Sequence, residues 1–306
     1  MTLDYEQIEG LFPSICVVQT AVGAFLEPDL DHDILSPCTA LVMVANRRGV
    51  ENPLARAAGV SHKCAIPVAG LPMLERVIRT LRSCPYVVRI LISVETPEVL
   101  RSVSYVDDLV AAGLVSVVPS GATLSQSVLN AARLLEEADY PLLVTTGDNV
   151  LHTPEIVHGF YAVAAASPVD VAFALTPRSI VEEAYPAEAP GIGYLTFAEG
   201  EHSNCNIYMI RNSRALRVCD VMKTGGQFRS HPWRILRAVG FSTLLLYKLR
   251  RLTLTGLCAR LEHLFGVSAG VVFLPHPDAP IDADGPDSLA LIERILRARG
   301  GARHAA

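Results

Sequence analysis

With 306 residues, half of them apolar and only 19% charged, the chain can bury a large core as one α/β domain or two small ones; no apolar run approaches the ~18 residues of a membrane-spanning helix, and nothing reads as disordered or collagen-like. The formal charge of −5 conceals an asymmetry, because residues 211–260 hold eleven Lys/Arg against one acid, Asp220, leaving −15 for the rest. That split points to a phosphate-rich ligand or an anionic surface near the basic segment, or else to a solvated basic face, and the acidic remainder argues against general nucleic-acid binding.

Residues 1–9 are acidic where a secretory signal needs positive charge, so the apolar patch 15–26 is not read as a signal peptide and a cytoplasmic address is the default expectation. Residues 1–37 show no clean periodicity and read as an N-terminal extension. Thr39–Ala45 is a buried strand by its apolar run, followed by the polar turn segment Asn46–Ala55. Leu74–Leu81 has helical spacing with Pro72 near its start, where a missing N–H costs nothing. The alternation then repeats: strand Val87–Val94, helix Pro97–Ala112, strand Val115–Pro119, helix Thr123–Glu137, strand Leu142–Thr146, helix Pro154–Ala166 and strand Val169–Thr176. Strands separated by helices of this length predict βαβ units, hence a three-layer α/β/α fold with a mostly parallel central sheet.

After Pro177 the pattern loosens. Gly193–Phe197 and Cys205–Ile210 read as strands, Arg214–Met222 and Trp233–Phe265 as helices, Ser268–Leu274 as a strand and Pro286–Arg299 as a closing helix. The expected organisation is an extension (1–37), a nucleotide-binding lobe (38–176) and an acceptor-binding lobe with C-terminal helices (177–306), all in one overall domain. The seven cysteines, Cys16, Cys38, Cys64, Cys84, Cys205, Cys219 and Cys258, follow no metal-gathering or C-x-x-C spacing and read as reduced core thiols.

The chemistry is expected around Pro141-Leu-Leu-Val-Thr-Thr-Gly-Asp-Asn149, a buried strand emptying into a Gly-Asp pair. Ligands of α/β proteins sit beyond the carboxyl ends of the strands, which makes Asp148 the first candidate. The long loop after the first strand carries Arg47, Arg48 and Lys63, cations placed where a triphosphate would lie. Neither a phosphate-loop pattern nor a Gly-x-Gly-x-x-Gly pattern is present. Arg178 and the pair Asn204 and Asn206 flank strand ends in the second half and are candidates for binding an acceptor's phosphate or hydroxyls. His62 and His152 lie near the site and read as polar loop residues.

The order of parts, Ala45-Asn-Arg-Arg48, then His62-Lys63, then Pro67-Val-Ala-Gly-Leu-Pro-Met-Leu74, resembles the signature of the MobA-like NTP transferases. These nucleotidyltransferases have a glycosyltransferase-A-like (Rossmann-like) fold and are related to the sugar-phosphate and methylerythritol-phosphate nucleotidylyltransferases. The resemblance covers roughly residues 39–176 and the tail near 281–297, with Asn46 standing where glycine is usual. It implies nucleotide contacts from Ala45, Asn46 and Arg47, and catalytic roles for Lys63, Arg48 and Asp148. Ser120-Gly-Ala-Thr-Leu-Ser-Gln-Ser127 looks like the segment that contacts the base in the family's cytidylyltransferases, which carries over to Gly121 and Ser127 and favours CTP; plain helix capping is the alternative. Ala279-Pro-Ile-Asp-Ala-Asp-Gly-Pro-Asp-Ser-Leu289 is similar to the family's closing acidic motif. By that resemblance Asp282, with Asp284 in reserve, joins Asp148 in holding Mg²⁺. Asp284 could instead cap the last helix, with Asp287 in its first turn.

The resemblance thus implies transfer of NMP, with CMP favoured over GMP or UMP, from an NTP to a phosphorylated sugar, polyol or alcohol, releasing pyrophosphate. Two rivals stay open: glycosyl transfer from an NDP-sugar, which prefers an Asp-x-Asp where Asp148 is followed by Asn-Val, and a non-catalytic nucleotide-binding scaffold. Residues 233–251, charged at both ends and uncharged over Ala238–Tyr247, read first as a helix in the core or in a homodimer interface. Peripheral membrane contact is the other reading, less favoured because Phe241 and Leu245 share a helical arc with Arg234, Arg237, Lys248 and Arg251.

Overall fold

The computed structural model describes residues 17–18, 35–44, 52–222 and 240–304. The strands in chain order are β1 (Val17–Val18), β2 (Cys38–Met43), β3 (Pro67–Val68), β4 (Leu71–Pro72), β5 (Val87–Val94), β6 (Ser116–Pro119), β7 (Leu142–Thr146), β8 (Val171–Pro177), β9 (Leu195–Phe197), β10 (Gly200–Ile210) and β11 (Ala269–Phe273). The α-helices are α1 (Pro53–Ala57), α2 (Met73–Arg82), α3 (Ser104–Ala111), α4 (Leu124–Ala132), α5 (Pro154–Ala166), α6 (Arg178–Ala184), α7 (Phe241–Lys248), α8 (Leu254–Phe265) and α9 (Pro286–His304).

The main sheet runs β1-β11-β8-β10-β7-β2-β5-β6, with β9 paired to β10. Every pair along it is parallel except those of β10, which is antiparallel to β7, β8 and β9. This is the expected α/β class, with one reversed strand at its centre. Every residue of β2 is buried, so its side chains sort by parity alone: Ala40 and Val42 face a core shared with α2, α5 and α9, whereas Leu41 and Met43 face one shared with α4. Strands from either side of residue 177 share this sheet, and Val17 and Val18 of the expected extension pair with Val271 and Val272 at its edge.

Several boundaries differ from expectation. The predicted helix over 97–112 is two pieces, a 3₁₀ segment Pro97–Ser102 and then α3, separated at Val103. The predicted helix over 233–265 is likewise broken: Arg250 takes a left-handed backbone (φ 55) and Thr253 caps α8 by accepting from the Gly256 N–H, so α7 and α8 are separate. A buried core helix at 233–251 is overturned for the part described. In α7 only Thr243 is buried, while Phe241, Leu245 and Leu246 point to solvent. Six of the cysteines are free and buried, as expected of core thiols, and Cys16 lies outside the described residues. No helix among the described residues is long and apolar enough to cross a membrane.

Candidate active site

β7 ends at Thr146, and Gly147 carries the chain over the end of β2. Its N–H donates to the Met43 carbonyl, and a Cβ there would lie 2.4 Å from Val44 Cγ1, so any larger residue would have to push Val44 aside. Asp148 follows, its Oδ1 accepting from the Thr146 hydroxyl. Lys63 arrives from a 3₁₀ turn, Lys63–Ala65, just before the β3–β4 hairpin. The tight turn of that hairpin uses the left-handed backbones of Ala69 (φ 45) and Gly70 (φ 84). Arg76 of α2 donates to the Val68 and Ala69 carbonyls, pinning the turn to the helix, and Met73 and Leu74 are fully buried. The stretch Pro67–Leu74 is therefore a brace that holds Lys63 against the sheet edge.

Lys63 Nζ contacts Asp148 Oδ2 directly and donates to Asp284 Oδ1 at 3.0 Å. Burial pulls the ammonium's pKa down, but the carboxylates of Asp148 and Asp284 override this and hold it above the ordinary lysine value. Asp282 completes the group: Asp148, Asp282 and Asp284 each offer an oxygen, all within 4.8 Å of one another. The Asp282 carboxyl is pushed up to about 7, first by burial and then by the facing Asp284 and Asp148, against the lowering pull of Lys63 and of Asn206. Its Oδ2 accepts from Asn206 Nδ2 at 2.9 Å, Asn206 Oδ1 accepts from Asn204 Nδ2, and Asn204 Nδ2 also donates to the Tyr208 hydroxyl. Asn206 stands at a register shift between β10 and β8 with φ 51, a bulge that turns its amide toward Asp282.

Three carboxylates without nitrogen or sulfur suit a hard divalent cation. A half-buried carboxyl flanked by two others is short of positive charge, and the one ammonium of Lys63 answers only part of that. The residues present therefore fit a metal held by Asp148, Asp282 and Asp284. Beside them lies an open cavity of about 910 Å³. Its lining includes Asn204, Asn206, Asp282, Asp284 and Arg294.

Not every expected residue joins this group. Ala45, Asn46, Arg47 and Arg48 lie outside the described residues. The Gly121 N–H donates to Ser127 Oγ at 2.8 Å, and that hydroxyl donates to the Thr123 carbonyl, so the expected base contacts satisfy each other at the start of α4, which Thr123 caps. Arg178 is tied to Glu182 (2.7 Å) and Glu201 (2.6 Å), lies over the Tyr194 ring and does not line the cavity. His152 is buried, its ring bonded to the Ala279 carbonyl. The Thr146 hydroxyl and Tyr208 were not expected, and Asn204 and Asn206, expected to meet an acceptor, also bond each other and, through Asn206, Asp282. Only the i, i+2 spacing of Thr146 and Asp148 at the strand end hinted at the hydroxyl.

Residues 54–263 match the family described as the MobA-like NTP transferase domain. The chain belongs to the MobA-like NTP transferase family. It is accordingly a nucleotidyltransferase, and its sheet with helices on both faces is shared by solved structures. A hypothetical transferase from Thermus thermophilus superposes with a TM-score of 0.64 at 23% identity, over 83% of this chain and 99% of the other. A CMP:2-keto-3-deoxy-manno-octonic acid synthetase complexed with CTP gives 0.53 at 12% identity, over 86% and 99%. The 4-diphosphocytidyl-2C-methyl-D-erythritol synthase of Anaerococcus prevotii gives 0.51 at 10%, over 86% and 96%. At these identities the likeness is one of fold. No curated protein matches the chain.

Proposed function

We propose that this MobA-like transferase moves a nucleoside monophosphate, CMP before GMP or UMP, from its triphosphate onto a phosphorylated sugar, polyol or alcohol, with Mg²⁺ and release of pyrophosphate. The observation that carries the reading is the Lys63 ammonium seated between Asp148 and Asp284 beside the half-buried Asp282, at the carboxyl edge of the sheet. Mg²⁺, held there by the three aspartates, would supply charge neutralisation for the triphosphate. Lys63 and Arg48 would offset the charge that grows at the α-phosphorus and on the departing pyrophosphate. The nucleophile would be an oxygen of the acceptor's phosphate, already ionised near neutral pH, so no general base is needed. His152, beside the cluster, is buried and held to about pKa 4 by desolvation, with the Ala279 and Cys205 carbonyls opposing. Asn204 and Asn206 line the cavity in which the acceptor would lie. The CTP preference rests on the resemblance of the Ser120–Ser127 segment and on the cytidine chemistry named for two of the structural neighbours; Gly121 and Ser127 would have to give up their mutual bond to reach a base.

The test incubates the purified protein with each NTP, Mg²⁺ and a panel of sugar and polyol phosphates, and measures pyrophosphate. Release with CTP and one class of acceptor is expected. No release with any pair, together with no nucleotide-dependent thermal shift, overturns the proposal in favour of a scaffold.

A further inference from the structure

α7 is seated with its apolar side outward. Phe241, Leu245 and Leu249 follow one another at i, i+4 and i+8 and so share a face, and they are 69%, 44% and 57% exposed; Leu246 beside them is 42% exposed. The opposite side holds the helix down: Thr243 is buried, Tyr247 meets Phe197 of β9 edge-on at 6.2 Å, and Leu252 and Leu254 just beyond are buried in the cluster with Phe197 and Leu175. Lys248, Arg250 and Arg251 rim the apolar face, all exposed and none in a salt bridge among the described residues. No acid occurs anywhere in 221–261. Because α7 ends at Lys248, Arg250 and Arg251 sit in the turn after it, not on the helical arc of Phe241. Lys248 and Arg251 therefore add exposed positive charge next to the apolar face, while the Glu201 carboxyl, held down first by its bond to Arg178, lies near enough to be lowered by Arg250 as well.

We infer that α7 and the turn after it dock this transferase on an anionic phospholipid surface. A contiguous exposed apolar face on an anchored helix marks an interaction site. The cationic rim selects the partner. A second copy of the chain, meeting this one through the same face, would set Lys248 and Arg251 against their own counterparts, and α7 itself carries no acid to answer them. A bilayer bearing anionic headgroups accepts the apolar side chains at its interface and the three cations at its surface. The β9–β10 hairpin under α7 starts where Ser203 and His202 pair with Thr176 and Pro177, the carboxyl end of β8, so docking would bring the catalytic edge of the sheet toward the bilayer.

Sedimentation of the full chain with vesicles of phosphatidylcholine alone, and of phosphatidylcholine mixed with phosphatidylglycerol, tests this independently of the reaction catalysed. Binding is expected to the mixed vesicles only, weakening as salt is added. Lys248→Gln/Arg250→Gln/Arg251→Gln should lower it on the order of 100-fold, since each surface cation contributes about tenfold or less. Phe241→Ser/Leu245→Ser/Leu249→Ser should abolish it with the thermal midpoint unchanged, because these side chains are exposed. Failure to bind mixed vesicles at low salt overturns the inference, as does equal binding by either variant. A dimer in light scattering that the serine variant dissociates overturns it too, by naming a second copy as the occupant.

Discussion

Replacing Asp148 with asparagine keeps the shape of the side chain and removes its charge, which separates the stability of the site from its chemistry. The Lys63–Asp148 contact is a charge pair at hydrogen-bonding length between side chains 15% and 20% exposed. At an effective dielectric of about 20 such a pair is worth roughly 5 kcal/mol before desolvation. Against it, Asp282 and Asp284 place oxygens within 4.8 Å of Asp148, and a like charge at that distance costs about 3 kcal/mol on the same scale, less for the exposed Asp284. These terms largely cancel, so Asp148→Asn should change stability by no more than about 2 kcal/mol. Its effect on a divalent cation does not cancel. At a hundredfold excess of Mg²⁺ over its dissociation constant, the wild type should gain about 2.7 kcal/mol, or roughly 4 °C in thermal midpoint. A tenfold weaker site in the variant loses about 1.4 kcal/mol of that. Turnover should fall on the order of a hundredfold or more. Differential scanning fluorimetry with and without Mg²⁺, followed by pyrophosphate release, measures all three. A variant with wild-type turnover and an undiminished Mg²⁺ shift refutes the metal assignment, and one that is unfolded at room temperature refutes the cancellation.

Asn206→Gly and Asn206→Ala both lose the bond to Asp282 and should weaken Mn²⁺ binding equally in a titration followed by electron paramagnetic resonance. Alanine should be about 1 kcal/mol less stable in urea, because the backbone there is left-handed at φ 51. Gly147→Ala should cost about 1–3 kcal/mol through the clash with Val44, and the added Val44→Ala should restore part of it, as a double-mutant cycle in urea would show. His152 is held neutral in the fold with its pKa near 4, against 6.5 for the free group, so the unfolded chain protonates first as pH falls. Its contribution is full above about pH 6.5 and is lost progressively toward pH 4, by about 3 kcal/mol in all; His152→Gln should flatten the stability–pH curve over that window.

What the residues alone revealed follows from how local each signal is. The bounds of β5, β7 and α5 were readable residue for residue, since an apolar run closed by polar or proline residues determines a buried strand or a capped helix by itself. β10 was not: its first half, Gly200-Glu-His-Ser-Asn, carries no apolar run and is a strand only because β8 and β9 lie beside it. The break between α7 and α8 carries no proline, and the turn rests on Arg250 in a left-handed conformation that arginine rarely adopts. Lys63, Asp148 and Asp282 were legible from strand ends and from the family resemblance. The contact of Lys63 with Asp284 and the amide chain from Tyr208 to Asp282 were not, for both depend on how distant segments meet.

The reversed strand is what makes that meeting possible. β10 lies between β7 and β8, and Ile207 pairs with Thr145, so Asn206 reaches the sheet edge level with the last residue of β7. An added parallel strand would bring its own carboxyl end to that edge; an antiparallel one brings its middle, and the bulge there can aim an amide across the cleft. Asp282 enters from the segment after β11, Lys63 from the 3₁₀ turn ahead of the braced hairpin, and Asp148 from the glycine-tight end of β7. Each charged group is thus anchored by backbone that the fold has already ordered. Lys63, the one long side chain among them, is held by two carboxylates rather than left to water. Groups prepositioned in this way need little reorganisation when phosphate charge arrives.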